Sequence, residues 1–250
     1  MLKEQIGAAI KQLRKDLSAY NVDVQHKDLE LTFSCGLNKF SLAFYFEKDP
    51  PLNAVNVLPL DFLLAGSEKV AALAVTKLQL NKRVFARNCE VLAVKKAEAV
   101  QFLDKFHFLH STGSAYNLGL FRNSELLAIA SFSKGRKMRR LKEHERSFEL
   151  IRFCSRPGYT ITGGLSRLVK TFCVLKNAAE VMTYVDKQFS DGVSFKKAGF
   201  KKIEESEVRP FLVNRENFQR KLWDGEEFNN EKFYLTFNKG NIKMIYEYKK

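Results

Sequence analysis

The sequence has few of the residues that build disulfide frameworks or structural metal sites. Its 250 residues include only four cysteines, and none of them forms a Cys-x-x-Cys pair with another. Cysteines scattered in this way argue against a disulfide-stapled fold and against a zinc finger, and they are typical of a reducing compartment. Cys154 follows Phe153, and Cys173 lies between Phe172 and Val174, so we expect both to be buried structural thiols.

Long apolar runs are also missing. No stretch approaches the about 18 consecutive apolar residues of a membrane-spanning helix, and the residues after Met1 lack the apolar segment of a signal peptide. The sequence therefore predicts a cytoplasmic protein without a membrane partner. With 250 residues, 45% of them hydrophobic, the chain is long enough for one large domain or two small ones with a buried core.

Acidic residues are scarce beside basic ones. The chain has 42 Lys and Arg against 28 Asp and Glu, which makes a formal net charge of +14. Residues 1–80 carry nine of each kind, residues 81–160 carry sixteen basic and seven acidic, and residues 161–250 carry seventeen basic and twelve acidic. Such an excess indicates a polyanionic partner, most simply nucleic acid.

The excess is densest in residues 134–146. This segment is either a solvated loop that keeps the protein soluble or a loop that contacts phosphates, and we favour the second interpretation. Cations in residues 215–221 lie beside Phe218 and Trp223, which suits nucleic-acid contact, although these aromatic residues could instead anchor a C-terminal extension. The candidate nucleic-acid contacts are Lys134, Arg136, Lys137, Arg139, Arg140, Arg215, Arg220 and Lys221.

Hydrophobic periodicity predicts two domains. A helical pattern, a β-hairpin pattern and a second helical pattern indicate a small α+β domain over residues 1–81. Residues 82–250 then predict the order β-α-β-β-β-α-β-α-β, which is an α/β arrangement with a mixed sheet flanked by helices. The predicted elements are 4–19, 29–46 and 70–80 in the first domain, and 90–93, 97–106, 118–121, 126–132, 148–154, 163–174, 181–185, 192–198 and 200 onwards in the second.

Two adjacent glycines mark the start of one predicted helix. Gly163 and Gly164 follow a strand and a loop at 155–162. A helix that begins in this way presents backbone N–H groups at the positive end of its dipole, where a pyrophosphate could bind. The glycines could also make only a tight turn, since neither a Walker sequence nor a Gly-x-Gly-x-x-Gly pattern is present. The candidate anion-binding residues are Gly163, Gly164, Leu165, Ser166 and Arg167.

The glycine turn and the order of elements together resemble the GNAT superfamily of N-acetyltransferases. That resemblance implies that the fourth strand of the sheet diverges from the fifth. It also implies that the turn after the fourth strand holds the pyrophosphate of acetyl-CoA or another acyl-CoA. Residues 192–200 (GVSFKKAGF) are similar to a later helix of the superfamily.

A narrower similarity is to the phage-associated Mom-like DNA-modification proteins, and it covers residues 82–250. It implies a phage-related protein that works in the host cytoplasm. No single motif carries this similarity, but the order of the motifs is specific. The stretches concerned are 85–90 (FARNCE), 102–107 (FLDKFH), 149–154 (ELIRFC), 163–166 (GGLS), 184–186 (YVD), 218–222 (FQRKL) and 239–241 (KGN).

One position departs from the superfamily pattern. A tyrosine on the later helix often protonates the departing thiolate in the superfamily, but this chain has Phe195, which has no proton to give. Tyr184 and Ser166 are the candidates for that role. Tyr184 could also be plain core, and Ser166 could either bond a cofactor phosphate or cap the helix.

The resemblance also directs attention to other polar side chains. Asp186 ends a predicted strand, where it is either a general base or substrate anchor, or a cap for the following segment. His107 matches a histidine of the family and is a candidate for hydrogen bonding on the substrate side. Arg152 could steer an anionic ligand or pair with Glu149. His107 and His110 have no acidic or cysteine partner at metal spacing, so no metal site is expected.

Related chains often carry a Vsr-like nuclease domain upstream, whose metal ion needs paired carboxylates. In this chain Glu30 could supply one ligand, but Phe44 stands where the second acid is expected. We therefore expect no nuclease activity from residues 1–81, which could be a degenerate nuclease-like unit, a docking domain or a structural brace.

Three functional hypotheses follow. The first is a GNAT-like acyltransferase that modifies a nucleic-acid base amine, with DNA preferred over RNA, from an acyl-CoA donor. The second is a catalytically inactive GNAT-fold module of phage or mobile-element origin that binds nucleic acid. The third is an acetyltransferase for a protein or a small amine, which the positive charge makes less attractive. The sequence does not indicate an oligomeric state.

Overall fold

Residues 2–47 and 56–249 are described in a computed structural model, and their contacts divide the chain into two compact units. Unit 1 comprises Met1–Asn81 and Glu207–Gly240, and unit 2 comprises Lys82–Ser206 and Asn241–Lys250. The sequence prediction counted residues 207–240 as an extension of the second domain, whereas their contacts group them with the N-terminal residues. No helix in the described part of the chain is long and apolar enough to cross a membrane.

The N-terminal part of unit 1 is a helix followed by a small sheet and two further helices. The predicted hairpin is confirmed, because the alternating apolar residues of its two strands, such as Phe33 and Phe40, face the core and pair in register. The first three strands are antiparallel, and the fourth is parallel to the third. The elements are α1 (Leu2–Leu17), β1 (Asp23–Lys27), β2 (Glu30–Cys35), β3 (Asn38–Tyr45), β4 (Val57–Pro59), α2 (Asp61–Ala65) and α3 (Ser67–Lys77).

Unit 2 follows the predicted order of elements. Two short strands were not predicted, β5 and β10, and they pair with each other in parallel beside the glycine turn. The elements up to the break in this unit are β5 (Lys82–Phe85), β6 (Glu90–Ala93), α4 (Lys96–Phe106), β7 (Tyr116–Arg122), β8 (Glu125–Phe132), β9 (Ser147–Ser155), β10 (Tyr159–Thr162), α5 (Gly164–Lys176), β11 (Glu180–Asp186), α6 (Val193–Lys197) and β12 (Lys201–Glu205).

The chain then returns to unit 1 as an antiparallel sheet of three strands, β13 (Pro210–Asn214), β14 (Arg220–Leu222) and β15 (Phe233–Phe237). The buried carboxylate of Asp61 in α2 receives two hydrogen bonds from Arg220, one of them 2.8 Å long from Nη2. The hydroxyl of Tyr45 donates to the carbonyl oxygen of Phe237. These contacts are the physical reason why residues 207–240 belong with unit 1.

The last strand, β16 (Asn241–Glu247), completes unit 2. Seven strands form one sheet in the order β12-β16-β11-β9-β8-β7-β6, in which β9 and β11 are parallel neighbours and the other pairs are antiparallel. The predicted mixed sheet flanked by helices and preceded by an α+β unit is therefore confirmed.

The helices of unit 2 cover opposite faces of this sheet. One face packs against α5, whose Leu168 and Phe172 are buried with Val181 and Val185 of β11. The other face packs against α4, whose Phe102 is buried with Ile129 and Cys154. Because α4 contributes only to the cluster at β8 and β9, the strands β11, β16 and β12 present a half-exposed surface on that side, with Tyr184 and Ile203 among its exposed residues.

Candidate active site

The sheet opens between β9 and β11. Their parallel ladder joins residues 147–149 to residues 180–182 and then ends, although β9 continues to Ser155 and β11 to Asp186. Immediately beyond the last pair, the hydroxyl of Thr183 donates to the carbonyl oxygen of Leu150 over 2.9 Å. These are the fourth and fifth strands of the seven-stranded sheet in chain order, so the divergence implied by the resemblance is present.

A β-bulge lies at this opening. Ser131 of β8 pairs with Arg152 and Phe132 pairs with Leu150, so Ile151 is an extra residue in β9. A bulge leaves its extra residue out of the ladder, bends the strand and redirects the neighbouring side chains. The sequence does not reveal it, because residues 147–155 contain no glycine or proline to mark the irregularity.

Arg152 ties the bulged strand to the segment after α4. Its guanidinium donates to the carbonyl oxygens of His110 (3.0 Å), Leu109 (3.4 Å) and Ile151 (2.9 Å). Burial lowers the pKa of Arg152, while the carboxylates of Glu149 and Asp186 raise it. Because arginine stays ionised in proteins, Arg152 places a fixed positive charge near both carboxylates.

His107 belongs to the same segment. It follows the last residue of α4, and its Nδ1 accepts a hydrogen bond of 3.0 Å from the backbone N–H of Leu109. The next residue, Phe108, stacks on Phe189 with ring centroids 4.7 Å apart. The segment after α4, which includes His107, is therefore adjacent to the turn that follows Asp186 at the end of β11.

Asp186 caps the turn that follows β11. Its Oδ1 accepts a 2.9 Å hydrogen bond from the N–H of Gln188, and its carbonyl oxygen accepts from the N–H groups of Phe189 and Ser190. The capping interpretation is thus supported by geometry. One carboxylate oxygen is used in the cap, and the group still lies close enough to Arg152 to raise its pKa.

Tyr184 is not a core residue, which corrects one of the two alternatives considered for it. Side chains alternate along a strand, and Val181 and Val185 face α5, so Tyr184 points to the other face with 49% of its surface exposed. There it lines a pocket of about 530 Å³. Every cation of this pocket is paired with an acid: Arg136 with Glu149, Arg140 with Glu180, Lys201 with Glu247 and Lys243 with Glu204.

The glycine turn is built for close approach of the backbone. Gly163 has a φ of 76°, in the left-handed region that favours glycine, and it is the N-cap of α5. A Cβ on Gly164 would lie 3.1 Å from Ile161 and 3.3 Å from Leu120, which is closer than most side-chain contacts. No side chain caps this helix, so the backbone N–H groups of its first turn are available to an anion.

Ser166 lies in the first turn of α5, three residues after the N-cap Gly163, so it does not cap the helix. It lines a second pocket, of about 400 Å³, formed by the start of α5 and the short 3-10 helix at Ala86–Asn88. The lining residues are Phe85, Ala86, Arg87, Thr162, Gly163, Ser166, Arg167, Lys170 and Thr171. They include three cations and no acid, which fits the phosphates of a nucleotide cofactor. The sequence did not predict that residues 85–87 contribute to this site.

The three predicted catalytic residues are not brought together. Ser166 lines the cationic pocket on the α5 side, whereas Tyr184 lines the ion-paired pocket on the opposite face of the sheet, next to Asp186 in the strand. The structure therefore corrects the grouping and places Ser166 with the anion-binding residues. Leu165 and Arg167 belong to the same turn, with Leu165 buried in the core and Arg167 donating to the carbonyl oxygen of Ala86 over 2.7 Å.

The predicted nucleic-acid contacts fall into two groups. In the basic loop, Lys134, Lys137 and Arg139 are exposed and form no ion pair within the described residues, whereas Arg136 and Arg140 are paired with acids of the sheet. In unit 1, Arg220 is only 13% exposed and its charge is balanced by Asp61, so its predicted contact with nucleic acid is corrected.

Two further candidate nucleic-acid contacts in unit 1 interact with neighbouring side chains. Arg215 pairs with Glu47, and the ammonium of Lys221 lies 5.3 Å from the ring centroid of Phe233. Trp223 donates from Nε1 to the carbonyl oxygen of Glu226 over 2.7 Å, which supports the anchoring interpretation of this segment.

Two expectations from the resemblance concern residues that lack the required chemistry. Phe195 in α6 packs against the core and meets Phe200 edge to face at 5.7 Å, so it supplies no proton. Phe44 is buried in the core of unit 1, while Glu30 is exposed at the start of β2. Among residues 2–47 and 56–249, no group of three His, Cys, Asp or Glu side chains is arranged to hold a metal ion.

Comparison with known proteins gives structural similarities alone. The sequence matches no protein-family model and no curated protein. The chain is similar to a GNAT family acetyltransferase from Elizabethkingia anophelis with acetyl-CoA bound, at 12% identity and a TM-score of 0.39, over 64% of this chain and 99% of that one. It is also similar to a Bacillus subtilis acetyltransferase in complex with CoA, at 11% identity and a TM-score of 0.39, with the same coverage of 64% and 99%.

A third similarity is to a chimeric spermidine N-acetyltransferase from Vibrio cholerae, at 8% identity and a TM-score of 0.39, over 64% of this chain and 95% of that one. TM-scores below 0.5 do not establish a shared fold. Any function assigned to the present chain therefore rests on its own geometry.

Proposed function

We propose that the chain is a GNAT-like acyltransferase that transfers an acyl group from acyl-CoA to an amine of a nucleic-acid base, with DNA preferred over RNA. The observation that supports acyl-CoA as the donor is the cationic pocket at the uncapped start of α5. It combines backbone N–H groups with Arg87, Arg167 and Lys170, and it contains no acid that would repel phosphate.

The opening between β9 and β11 supplies a place for the reaction. When bound, acyl-CoA supplies an acyl group activated as a thioester. An amine must be neutral to attack it, and Asp186 is the carboxylate at the opening that can orient the amine or accept its proton. Arg152, fixed by three carbonyl oxygens, keeps the segment with His107 against the opening.

The proton for the leaving thiolate needs a donor other than Phe195. Ser166 lies with the anion-binding residues, so Tyr184, the exposed phenol of β11, is the candidate that remains. Substitution of Tyr184 by phenylalanine is expected to slow transfer without weakening cofactor binding, because the ring and its packing are kept.

The proposal that nucleic acid is the acceptor rests on the positive charge of the basic loop. Lys134, Lys137 and Arg139 present three uncompensated cations on one loop of unit 2, and clustered cations of this kind neutralise backbone phosphates. A base amine inside a duplex is inaccessible, so such an enzyme would have to extrude the base while the loop holds the backbone. The narrower similarity to phage-associated Mom-like proteins favours DNA as the acceptor.

Unit 1 is proposed to be a nuclease-like domain without a metal site, which serves to dock or brace rather than to cleave. The burial of Phe44 at the position of the expected second acid supports this interpretation. The second hypothesis, an inactive module that binds nucleic acid, is the alternative that the following experiment addresses.

The test is transfer of label from radiolabelled acetyl-CoA to single-stranded DNA, duplex DNA or RNA. The proposal predicts incorporation into DNA by the wild-type chain and loss of it in Asp186→Asn. Lys96→Ala serves as the control, because this exposed residue at the start of α4 lines neither pocket. Binding of DNA without binding of acetyl-CoA contradicts the proposal and favours the inactive module.

A further inference from the structure

Phe85 is an aromatic residue with a large exposed fraction at the edge of the cationic pocket. Its side chain is 44% exposed, although the residues before and after it, Val84 and Ala86, are buried. It lies at the end of β5, the short strand that pairs with β10, and it lines the cationic pocket. The guanidinium of Arg87 lies over one face of its ring, 5.0 Å from the centroid, so a ligand ring would stack on the other face.

An exposed aromatic ring beside several cations is the arrangement that recognises a nucleotide. Each purine has a π-face that stacks on an aromatic side chain, and phosphates bind the neighbouring cations. Arg167 donates to the carbonyl oxygen of Ala86, and Arg87 and Lys170 are the other two cations that line the pocket. Lys170 lies six residues after Gly164, which is about 9 Å farther along the helix.

We infer that Phe85 is a stacking platform for the adenine of the acyl-CoA donor and that Lys170 binds its 3′-phosphate. This inference rests on the proposed function, because it places the nucleotide end of the same cofactor. The first turn of α5 and Arg87 would hold the pyrophosphate, and Lys170 would hold the 3′-phosphate. Residues 85–87 thus set the preference for an adenine nucleotide.

The experiment is isothermal titration of the full chain with CoA, dephospho-CoA (which lacks the 3′-phosphate) and adenosine 3′,5′-bisphosphate. Phe85→Ala is expected to lower the affinity for CoA and for the bisphosphate about tenfold, because the stacking contact with the base is lost. Phe85→Trp is expected to retain binding. Lys170→Ala is expected to lower the affinity for CoA about tenfold and to leave the affinity for dephospho-CoA unchanged.

Two matched substitutions control for general effects. Leu92→Ala removes an apolar side chain on β6 that is exposed to a similar degree, and Lys96→Ala removes an exposed cation; neither residue lines the pocket. Both are expected to bind all three ligands as the wild type does.

The failures are distinguishable. A wild-type chain that binds no CoA overturns the proposed function and this inference with it. A wild-type chain that binds CoA, with Phe85→Ala binding it within twofold of the same affinity, overturns this inference alone. Equal weakening of CoA and dephospho-CoA by Lys170→Ala overturns the assignment of the 3′-phosphate.

Discussion

Thr183 and Leu150 are joined by a hydrogen bond from the hydroxyl to the carbonyl oxygen, one position beyond the last ladder pair of β9 and β11. A side chain here takes the place of the next backbone partner, so the carbonyl oxygen is satisfied although the strands are no longer paired. The bulge at Ile151 follows at once on the same strand. Together the two features let the sheet open without leaving a buried acceptor unsatisfied.

Removing this bond should cost stability. Thr183→Val keeps the shape of the side chain but leaves the carbonyl oxygen of Leu150 without its donor, which is expected to lower the free energy of unfolding by about 1–3 kcal/mol. The measurement is urea unfolding followed by circular dichroism. Thr112→Val, in an exposed loop, is the control and should change nothing. A Thr183→Val chain as stable as the wild type would show that the bond does not hold the opening.

The ion pair of Asp61 and Arg220 should hold the inserted segment of unit 1 in place. Asp61 is fully buried, so Asp61→Ala leaves the guanidinium with an uncompensated charge and is expected to cost about 3–5 kcal/mol. The double change Asp61→Leu with Arg220→Leu should cost less than Asp61→Ala alone, because no buried charge remains. Thermal unfolding of the wild type and the two variants measures this, and a double variant less stable than Asp61→Ala would contradict the interpretation.

These two relationships show where the sequence was informative and where it was not. The hairpin of unit 1 and the helix after Gly163 follow from local alternation and from glycine at a turn, both of which are visible in one short window. The pairing of Asp61 with Arg220 joins residues 159 positions apart, and no local pattern announces it. For that reason residues 207–240 were assigned to the wrong unit.

The candidate site likewise has a part that the sequence predicts and a part that it does not. The glycine turn was predicted as an anion site because its chemistry lies in consecutive residues. The contribution of residues 85–87 was missed, since β5 and β10 are strands of four residues each without a distinguishing pattern, and their pairing brings together positions 77 residues apart. The separation of Ser166 from Tyr184 was missed as well, because it depends on which face of the sheet each element covers.

Nucleic-acid affinity should depend on the exposed cations of the basic loop that form no ion pair among the residues that the structure describes. Changing Lys134, Lys137 and Arg139 together to Gln is expected to weaken DNA binding and to reduce the slope of log affinity against log salt by about 0.9 for each lost phosphate contact. Gel-shift titration at several salt concentrations measures both quantities. The matched control changes Lys96, Lys105 and Lys197 to Gln. Equal losses in the two triple variants would show that net charge alone, rather than this loop, drives binding.

The cysteines should differ in the reactivity of their thiols. Burial raises the pKa of Cys173 to about 12 and also raises the pKa of Cys89. A raised pKa keeps a thiol protonated at pH 8, and the protonated form is a poor nucleophile, so both should resist Ellman's reagent in the native protein. Cys35 is less buried and should react first. A Cys35→Ser variant should lack the fast phase, and fast labelling of Cys173 would contradict the burial described here.

The anion site can be tested by placing a negative charge inside it. Ser166→Glu adds a carboxylate to the first turn of α5, where it is compatible with the helix dipole but repels phosphate. Ser166→Gln has the same size without the charge and serves as the matched control. The glutamate variant is expected to fold normally and to lose at least tenfold in affinity for acetyl-CoA, whereas the glutamine variant should lose much less. Equal affinities of the two variants for acetyl-CoA would show that this pocket does not bind the phosphates.

The most direct measurement of the central claim is isothermal titration of the wild-type chain with acetyl-CoA. The account predicts saturable binding in the micromolar range, competition by free CoA, and at least tenfold weaker binding in Ser166→Glu. No binding to the wild-type chain, or binding that Ser166→Glu leaves unchanged, would contradict an acyl-CoA donor held at the start of α5.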